Sequence, residues 1–424
     1  MRYRSTRSSD TFVTVKEAVF QGLAPDGGLF IPETLPVLSA EELQSYRHSP
    51  IEEIGAVILS YYIEDIRQED LQRIIKQSLS FPFPLRKVGE KTVLELFHGP
   101  TMAFKDVAAQ ILPRLMEHYL DETRQETLIL TATSGDTGGA VAHGFSNKEH
   151  IRVVILFPKD KVSKLQYNQL THVGKNIFPI EVDGTFDDCQ DFVKQAFIDD
   201  DFKKHNLTSA NSINIGRLLP QIIYYAYAWS RYDGRNVTFV VPSGNMGNVT
   251  AGFYAKMMGI PIEKLVIACN TNDPVVRYFE SGRYSKQSAH QTLSTAMDIG
   301  HPSNFERVLA HLHHDHQQFT DIFSAVRTTD DETIDTISRV YKDQEYILDP
   351  HTAVAWNAAE KLSLKSPVII STAAPLKFAS EIKDKTNITV PTNSMINFEG
   401  TPIVHPESNS YAKMKRLVQT FINQ

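Results

Sequence analysis

One lysine in this chain occupies a place that ordinary packing does not ask for. In ELFHGPTMAFKDVAAQ, residues 95–110, Lys105 stands just inside what reads as a helix start, after an apolar strand and a His-Gly-Pro-Thr turn at 98–101. The helix macrodipole makes that end locally positive, so an ammonium ion is disfavoured there. The position makes sense for a lysine that must be neutral, and a neutral lysine is a nucleophile. The dipole alone does not achieve this. At an unperturbed pKa near 10.4, roughly one lysine in a few thousand is neutral at pH 7; a dipole worth about 0.3–1 kcal/mol falls short of one pKa unit. Burial, or conversion to a Schiff base, must supply the rest.

Two Gly-rich turns add anion chemistry. PSGNMGN (242–248) places Gly244 and Gly247 three apart, with Asn245, Met246 and Asn248, between the apolar run NVTFVV and the helical pattern NVTAGFYAKMM. Exposed backbone N–H groups at a positive helix end form an anion cradle that needs no lysine. The stretch lacks the Gly-Lys-Ser/Thr of a P-loop and the full G-x-G-x-x-G dinucleotide fingerprint. TSGDTGG (133–139) repeats the geometry, with hydroxyls on Ser134 and Thr137 and a carboxylate on Asp136. It suits a second anion, such as a substrate carboxylate. Either turn alone is equally explained as a tight turn or an N-cap. A further turn, STAAP (371–375), closes the last apolar run. Ligands in open α/β sheets bind outside the carboxyl ends of strands, so four such turns are expected to share one pocket. Arg217, in SANSINIGRLLPQ, is a second cation near a helix start, where an anionic partner would resolve the conflict. The bland alternative is a surface arginine paired with a carboxylate.

The elements that must hold these groups follow from the pattern of apolar residues. TVLELF (92–97), TLILTAT (127–133), IRVVILF (151–157), NVTFVV (237–242), KLVIACN (264–270) and SPVIIST (366–372) are continuous runs rich in β-branched residues. Such runs suit strands buried on both faces of a parallel sheet. Helical patterns follow most of them, including AFKDVAAQILPRLMEHYL, where Pro113 is expected to end or kink the helix. The class is α/β, doubly wound. Residues 1–84 read as a helical N-terminal unit, with helix-period patterns at 51–63 and 69–79, and FPFPL (81–85) marks a boundary. The rest, 85–424, forms the catalytic domain, with a smaller lobe at roughly 106–232.

Composition sets the outer limits. The 424 residues are 42% hydrophobic and 22% charged, ordinary for a globular protein. A formal net charge of −7 argues against nonspecific nucleic-acid binding. MRYRSTRSSDTF lacks an apolar targeting core and no apolar run of about 18 residues occurs, so neither secretion nor membrane spanning is expected. Two cysteines, Cys189 and Cys269, suggest reduced thiols and a cytoplasmic protein.

HGPTMAFKD, TATSGDTGGAVAHGF, SANSINIGRLLPQ and VPSGNMGN, in this order, closely resemble threonine synthase, a pyridoxal-phosphate enzyme family of fold type II. YRSTR, GLAPDGGLFIPETLP, DPHTAVA and STAAPLKF extend the likeness over nearly the whole chain. The resemblance implies a tryptophan synthase β-like fold with mostly parallel sheets in two lobes. It also implies pyridoxal 5'-phosphate and the conversion of O-phospho-L-homoserine and water to L-threonine and phosphate. By it, Lys105 forms the internal Schiff base and later moves protons. Gly244, Asn245, Met246, Gly247 and Asn248 would hold the cofactor phosphate, and Thr372 would face the pyridine nitrogen. Ser134, Asp136 and Thr137 would lie near the substrate carboxylate, and Arg217 would take the substrate phosphate, which its fork matches.

One departure stands out. The family pattern leads to an expected Thr-Ala-His-Pro-Ala-Lys-Phe near the C-terminus, where this chain has Ala374 in place of the histidine. That leaves open a phospholyase on the same chemistry, giving 2-oxobutyrate. A binding protein that kept the fold without catalysis is the alternative outside enzymology. HLHHDHQQF (311–319) has metal-like spacing at His311 and His314, but it reads as a solvated helix face and no metal is assigned. Tyr224, Tyr225, Tyr227 and Trp229 read as core aromatics.

Overall fold

The computed structural model describes residues 1–8, 10–47, 49–123, 126–133, 135–232, 236–391, 398 and 401–423. Two compact units form. Unit 1 holds Met1, Ile31–Phe104 and Leu218–Thr392, and unit 2 holds Arg2–Phe30, Lys105–Arg217 and Asn393–Gln424. The expected N-terminal stretch is shared, residues 2–30 clustering with unit 2 and 31–84 with unit 1.

Unit 1 is built on a six-stranded sheet in the order Phe323–Arg327, Ile262–Cys269, Val237–Pro242, Val368–Ser371, Lys91–Glu95, Leu85–Val88. Every pairing is parallel except the last, which is an antiparallel hairpin. The inner strands are the continuous apolar runs of the sequence, and Val93, Val240, Val266 and Ile369 are wholly buried. Helix Pro350–Lys361 covers them with a small-residue face, Ala353, Ala355, Ala358 and Ala359, all buried. The two outer strands, Leu85–Val88 and Phe323–Arg327, have half-exposed patterns that a search for buried runs passes over. Helices Ile51–Tyr62 and Gln68–Ser78 lie within a residue of their expected limits.

Unit 2 carries a four-stranded parallel sheet in the order His405–Ser408, Ile177–Asp183, Ile151–Pro158, Thr127–Ala132. The two strands without a sequence signal have plain reasons. Ile177–Asp183 contains Pro179, normally a mark against an inner strand, and His405–Ser408 is the polar segment HPES. Of the two outcomes expected at Pro113, an end or a kink, the helix does not end: Lys105–Thr123 runs through it. Proline at 113 removes the donor that the Ala109 carbonyl would have met. A Cβ at Gly144 would come within 1.9 Å of that same carbonyl oxygen, so helix Asp136–Phe145 packs flush on the released group. The N-terminal helix Val15–Gln21 is tied in through the Val19 carbonyl, which accepts from Thr208 Oγ1 at 3.2 Å and Asn214 Nδ2 at 2.8 Å.

Candidate active site

The lysine lies in unit 2. Lys105 is the first residue of its helix, as the sequence implied, and its Nζ lies 3.9 Å from Asp136 Oδ2. The two side chains are 17% and 4% exposed. Asp136 in turn opens helix Asp136–Phe145, where a carboxylate suits the positive helix end. The gross attraction of such a pair is about 4 kcal/mol at an effective dielectric near 20, more than the dipole's about 0.3–1 kcal/mol. The charged lysine therefore has a compensating neighbour, which sequence spacing could not reveal.

The Asp136 carboxylate is itself held. Gln166 Nε2 donates to its Oδ1 at 3.0 Å, and Gln166 is locked by a capping box with Ser163. Gly135, at φ +154°, leaves room for this reach, because a Cβ there would stand 2.6 Å from Gln166 Nε2. Thr133 Oγ1 accepts from Gly135 N at 3.0 Å and Gly138 N at 2.8 Å, which fixes the turn. Thr137 follows, half-buried. Ser134 lies outside the described residues.

Arg217 is buried, 4% exposed, and its Nη1 donates to the Ala210 carbonyl at 2.6 Å. Burial pushes its pKa down to about 10 while the Asp106 carboxylate opposes the fall, so it stays a cation at neutral pH. An anionic partner was expected from its place near a helix start. The chain supplies one in Asp106, next to the lysine and fully buried.

The cradle lies in unit 1. Residues 242–248 leave strand Val237–Pro242 and enter helix Gly247–Met257, with Met246 in the left-handed region at φ +60°. A β-carbon residue in that conformation stores of order 1–3 kcal/mol of strain, which functional turns tend to retain. Asn245 anchors the turn: its Oδ1 accepts from Ser303 N at 2.5 Å, and its carbonyl accepts from Asn304 Nδ2 at 3.0 Å. Gly244 lies so close to the turn Thr295–Met297 that a Cβ would meet Met297 Cα at 2.7 Å and the Ala296 carbonyl oxygen at 2.9 Å. Asn248 Oδ1 accepts from the hydroxyls of Tyr224 at 2.8 Å and Tyr225 at 2.6 Å. These two tyrosines are core aromatics, as expected, and burial pushes both phenols well up.

The first and last turns meet within unit 1. Ala103 bridges Ala373, Phe104 N donates to the Thr372 carbonyl at 2.8 Å, and Ala374 N donates to the Met102 carbonyl at 3.1 Å. The residue preceding Lys105 is thus fastened to the end of strand Val368–Ser371, where Thr372 is 6% exposed. Lys377 Nζ reaches the Thr101 carbonyl at 2.8 Å. Glu95, buried, accepts from Tyr346 at 2.8 Å and pairs with His98 at 2.7 Å, an assembly around the HGPT turn that the sequence did not signal.

The histidine-rich segment is divided. His311 ends helix Phe305–His311, and its Nε2 meets the Tyr254 hydroxyl at 3.0 Å. Asp315 caps helix His316–Ile322. Among the described residues no group of three or more His, Cys, Asp or Glu is arranged to hold a metal ion.

The residues fit a phosphate-bearing cofactor. The half-exposed backbone at Gly244, Asn245 and Gly247 forms a cradle that a side chain on Gly244 would spoil, and Asn248 Nδ2 is buried without a hydrogen-bond partner. Exposed amides at a helix start suit an anion without needing a lysine. Known proteins agree. The family described as pyridoxal-phosphate dependent enzyme matches residues 87–372, and the threonine synthase N terminus matches residues 2–79. Threonine synthase from Escherichia coli is 40% identical over 392 residues, covering 90% of each chain. Threonine synthase from Pseudomonas aeruginosa is 37% identical over 421 residues, again covering 90% of each. The crystal structure of PLP-bound threonine synthase from Brucella melitensis superimposes with a TM-score of 0.94 at 35% identity, covering 99% of both chains. With a lysine at its helix start, a glycine cradle that fits phosphate, and likeness along its full length, the chain belongs to the threonine synthase family of fold type II pyridoxal-phosphate enzymes.

Proposed function

We propose that the chain converts O-phospho-L-homoserine and water to L-threonine and phosphate, with pyridoxal 5'-phosphate as cofactor. The observation that carries the reading is the conjunction of near-full-length likeness to threonine synthases with the Lys105–Asp136 pair and the Gly244 cradle. Bound pyridoxal phosphate supplies an electron sink that acidifies the carbons beside the substrate nitrogen. The protein's own groups do the rest. Lys105 would hold the cofactor covalently, and its Nζ would serve as the group that takes and returns protons. Asp136 balances that amine whenever it is charged. The amides of residues 244–248 would hold the cofactor phosphate, and Thr372 would offer the ring nitrogen a neutral hydroxyl. Thr137, Ser134 and the amides around Asp136 receive the substrate carboxylate, and Arg217 receives the phosphate that leaves from Cγ. Water then adds at Cβ. Two free cysteines, Cys189 and Cys269, suit a reducing, cytoplasmic compartment; among the described residues no helix is long and apolar enough to cross a membrane.

The test is product analysis by proton and phosphorus NMR with purified protein, cofactor and O-phospho-L-homoserine. Threonine and phosphate in equal amounts are expected. A dominant 2-oxobutyrate signal would assign the phospholyase instead, the outcome that Ala374 makes worth measuring, and absence of turnover would overturn both. Lys105→Ala is expected to yield no product and no near-visible band that borohydride removes, while still taking up cofactor weakly through residues 242–248.

A further inference from the structure

Three side chains at the start of helix Pro350–Lys361 reach toward both ends of the cofactor-binding half of unit 1. Asp349 caps this helix, its carboxylate accepting from His351 N at 2.9 Å and Thr352 N at 3.4 Å. The same carboxylate lies 2.9 Å from His351 Nδ1. A carboxylate can only accept, so Nδ1 carries the proton and Nε2 is left with its lone pair. That lone pair receives the backbone N–H of Ala296 at 3.2 Å. His351 is 3% exposed and Asp349 1%, so water does not compete for either contact.

Ala296 is the middle residue of the turn Thr295–Met297, whose backbone lies against Gly244. The imidazole therefore sets where that turn sits, and the turn sets how deep the phosphate cradle is. Thr352, one residue on, pairs its Oγ1 with Ser371 Oγ at 2.8 Å and also donates to Asp349. Ser371 immediately precedes Thr372. The His351 ring also packs on Phe378, 5.0 Å between centroids, beyond the same strand end.

We propose that Asp349, His351 and Thr352 are positioning residues that register the cofactor from both ends at once. On the cofactor placement proposed above, His351 would act on the phosphate through Ala296 and Gly244, and Thr352 would act on the ring nitrogen through Ser371 and Thr372. Neither side chain need touch the cofactor. One helix terminus thereby fixes the distance between the phosphate cradle and the hydroxyl that faces the ring.

Two substitutions at one position separate this from general packing. Asparagine at 351 can still donate where Nδ1 did but has nothing at Nε2, whereas glutamine reaches the Nε2 position and can accept from Ala296. In cofactor-free protein, His351→Asn is expected to speed hydrogen exchange at the Ala296 amide. It is also expected to weaken pyridoxal phosphate binding roughly three- to ten-fold, the weight of one lost hydrogen bond. His351→Gln should restore both. Thr352→Val should leave Ala296 exchange and the bound cofactor's phosphorus resonance unchanged while shifting its near-visible band. Equal loss in His351→Asn and His351→Gln with unchanged Ala296 exchange would overturn the phosphate arm. Should His351→Asn not fold, an unshifted band in Thr352→Val at unchanged affinity would overturn the proposal by its other arm.

Discussion

Gly244→Ala tests the cradle with a single carbon atom. That carbon would be placed 2.7 Å from Met297 Cα and 2.9 Å from the Ala296 carbonyl oxygen, both backbone atoms. Carbon atoms in ordinary contact stay about 3.5 Å apart, so one of the two segments must give way by about 0.8 Å. Neither can do so by turning a side chain. The 242–248 segment is held through Asn245 to residues 303 and 304, and the turn Thr295–Met297 is held by His351. Overpacking of this kind costs about 1–3 kcal/mol. If the strain appears only when the cradle closes on a phosphate, the dissociation constant for pyridoxal phosphate rises roughly five- to 150-fold. If it is present in both states, the unfolding free energy of the cofactor-free protein falls by that amount. The assay is a cofactor titration followed by absorbance, beside urea unfolding of the cofactor-free enzyme, on wild type and variant together. Gly244→Ala with cofactor affinity within two-fold of wild type and an unchanged urea midpoint would show that residues 295–297 do not bear on the cradle, and the argument from close approach would fail.

Arg217 and Asp106 are buried opposite charges that act on one another, so Arg217→Met alone is expected to destabilise the fold by about 3–5 kcal/mol, read by urea unfolding. Joining it with Asp106→Asn should restore most of that stability; kcat/KM should nonetheless stay down by at least about thirty-fold, as for a lost partner of the substrate phosphate. Full recovery of activity in the double variant would confine Arg217 to balancing Asp106. His143 is neutralised by burial and by the nearby Arg114 charge, which lower its pKa below 6.5, and its Nδ1 accepts from Gln110 Nε2 at 3.0 Å. Between the lowered folded value and 6.5 the unfolded chain binds the extra proton, so stability falls as pH drops through that window and is fully present above it. Urea midpoints between pH 5 and 7 should flatten in His143→Gln; an unchanged slope would assign the effect to His205 and His405, which burial shifts the same way.

Much of the lysine's surroundings could be read from the chain because the clues were local. A cation at a helix start, a glycine pair after a buried strand and continuous apolar runs each carry their meaning within ten or so residues. What escaped was of longer reach. Asp136 beside Lys105, the Asp106 charge acting on Arg217, Gln166 behind Asp136, and residues 296 and 303–304 against the glycine turn are relations made only once the chain has folded back. Strands of another character were missed for a different reason. Ile177–Asp183 hides behind its proline, and Leu85–Val88 and Phe323–Arg327 lie at sheet edges, where one side need not be apolar. Pro113 does not end its helix, and a tight helix contact at Gly144 makes use of the carbonyl it releases.

The order of strands in unit 2 has a consequence for synthesis. His405–Ser408 pairs with Ile177–Asp183, yet residues 218–392, all of them assigned to the other unit, are translated between the two. At about 5–20 residues per second the ribosome needs roughly ten to fifty seconds to deliver that last strand. Throughout this interval Ile177–Asp183 is the border of a three-stranded sheet with its hydrogen-bonding groups unpaired, and such a border recruits stray strands. The nascent chain is therefore most vulnerable late in its translation, when most of its apolar core has already been made. A chaperone, or a slow codon stretch placed before residue 393, would have its greatest effect there.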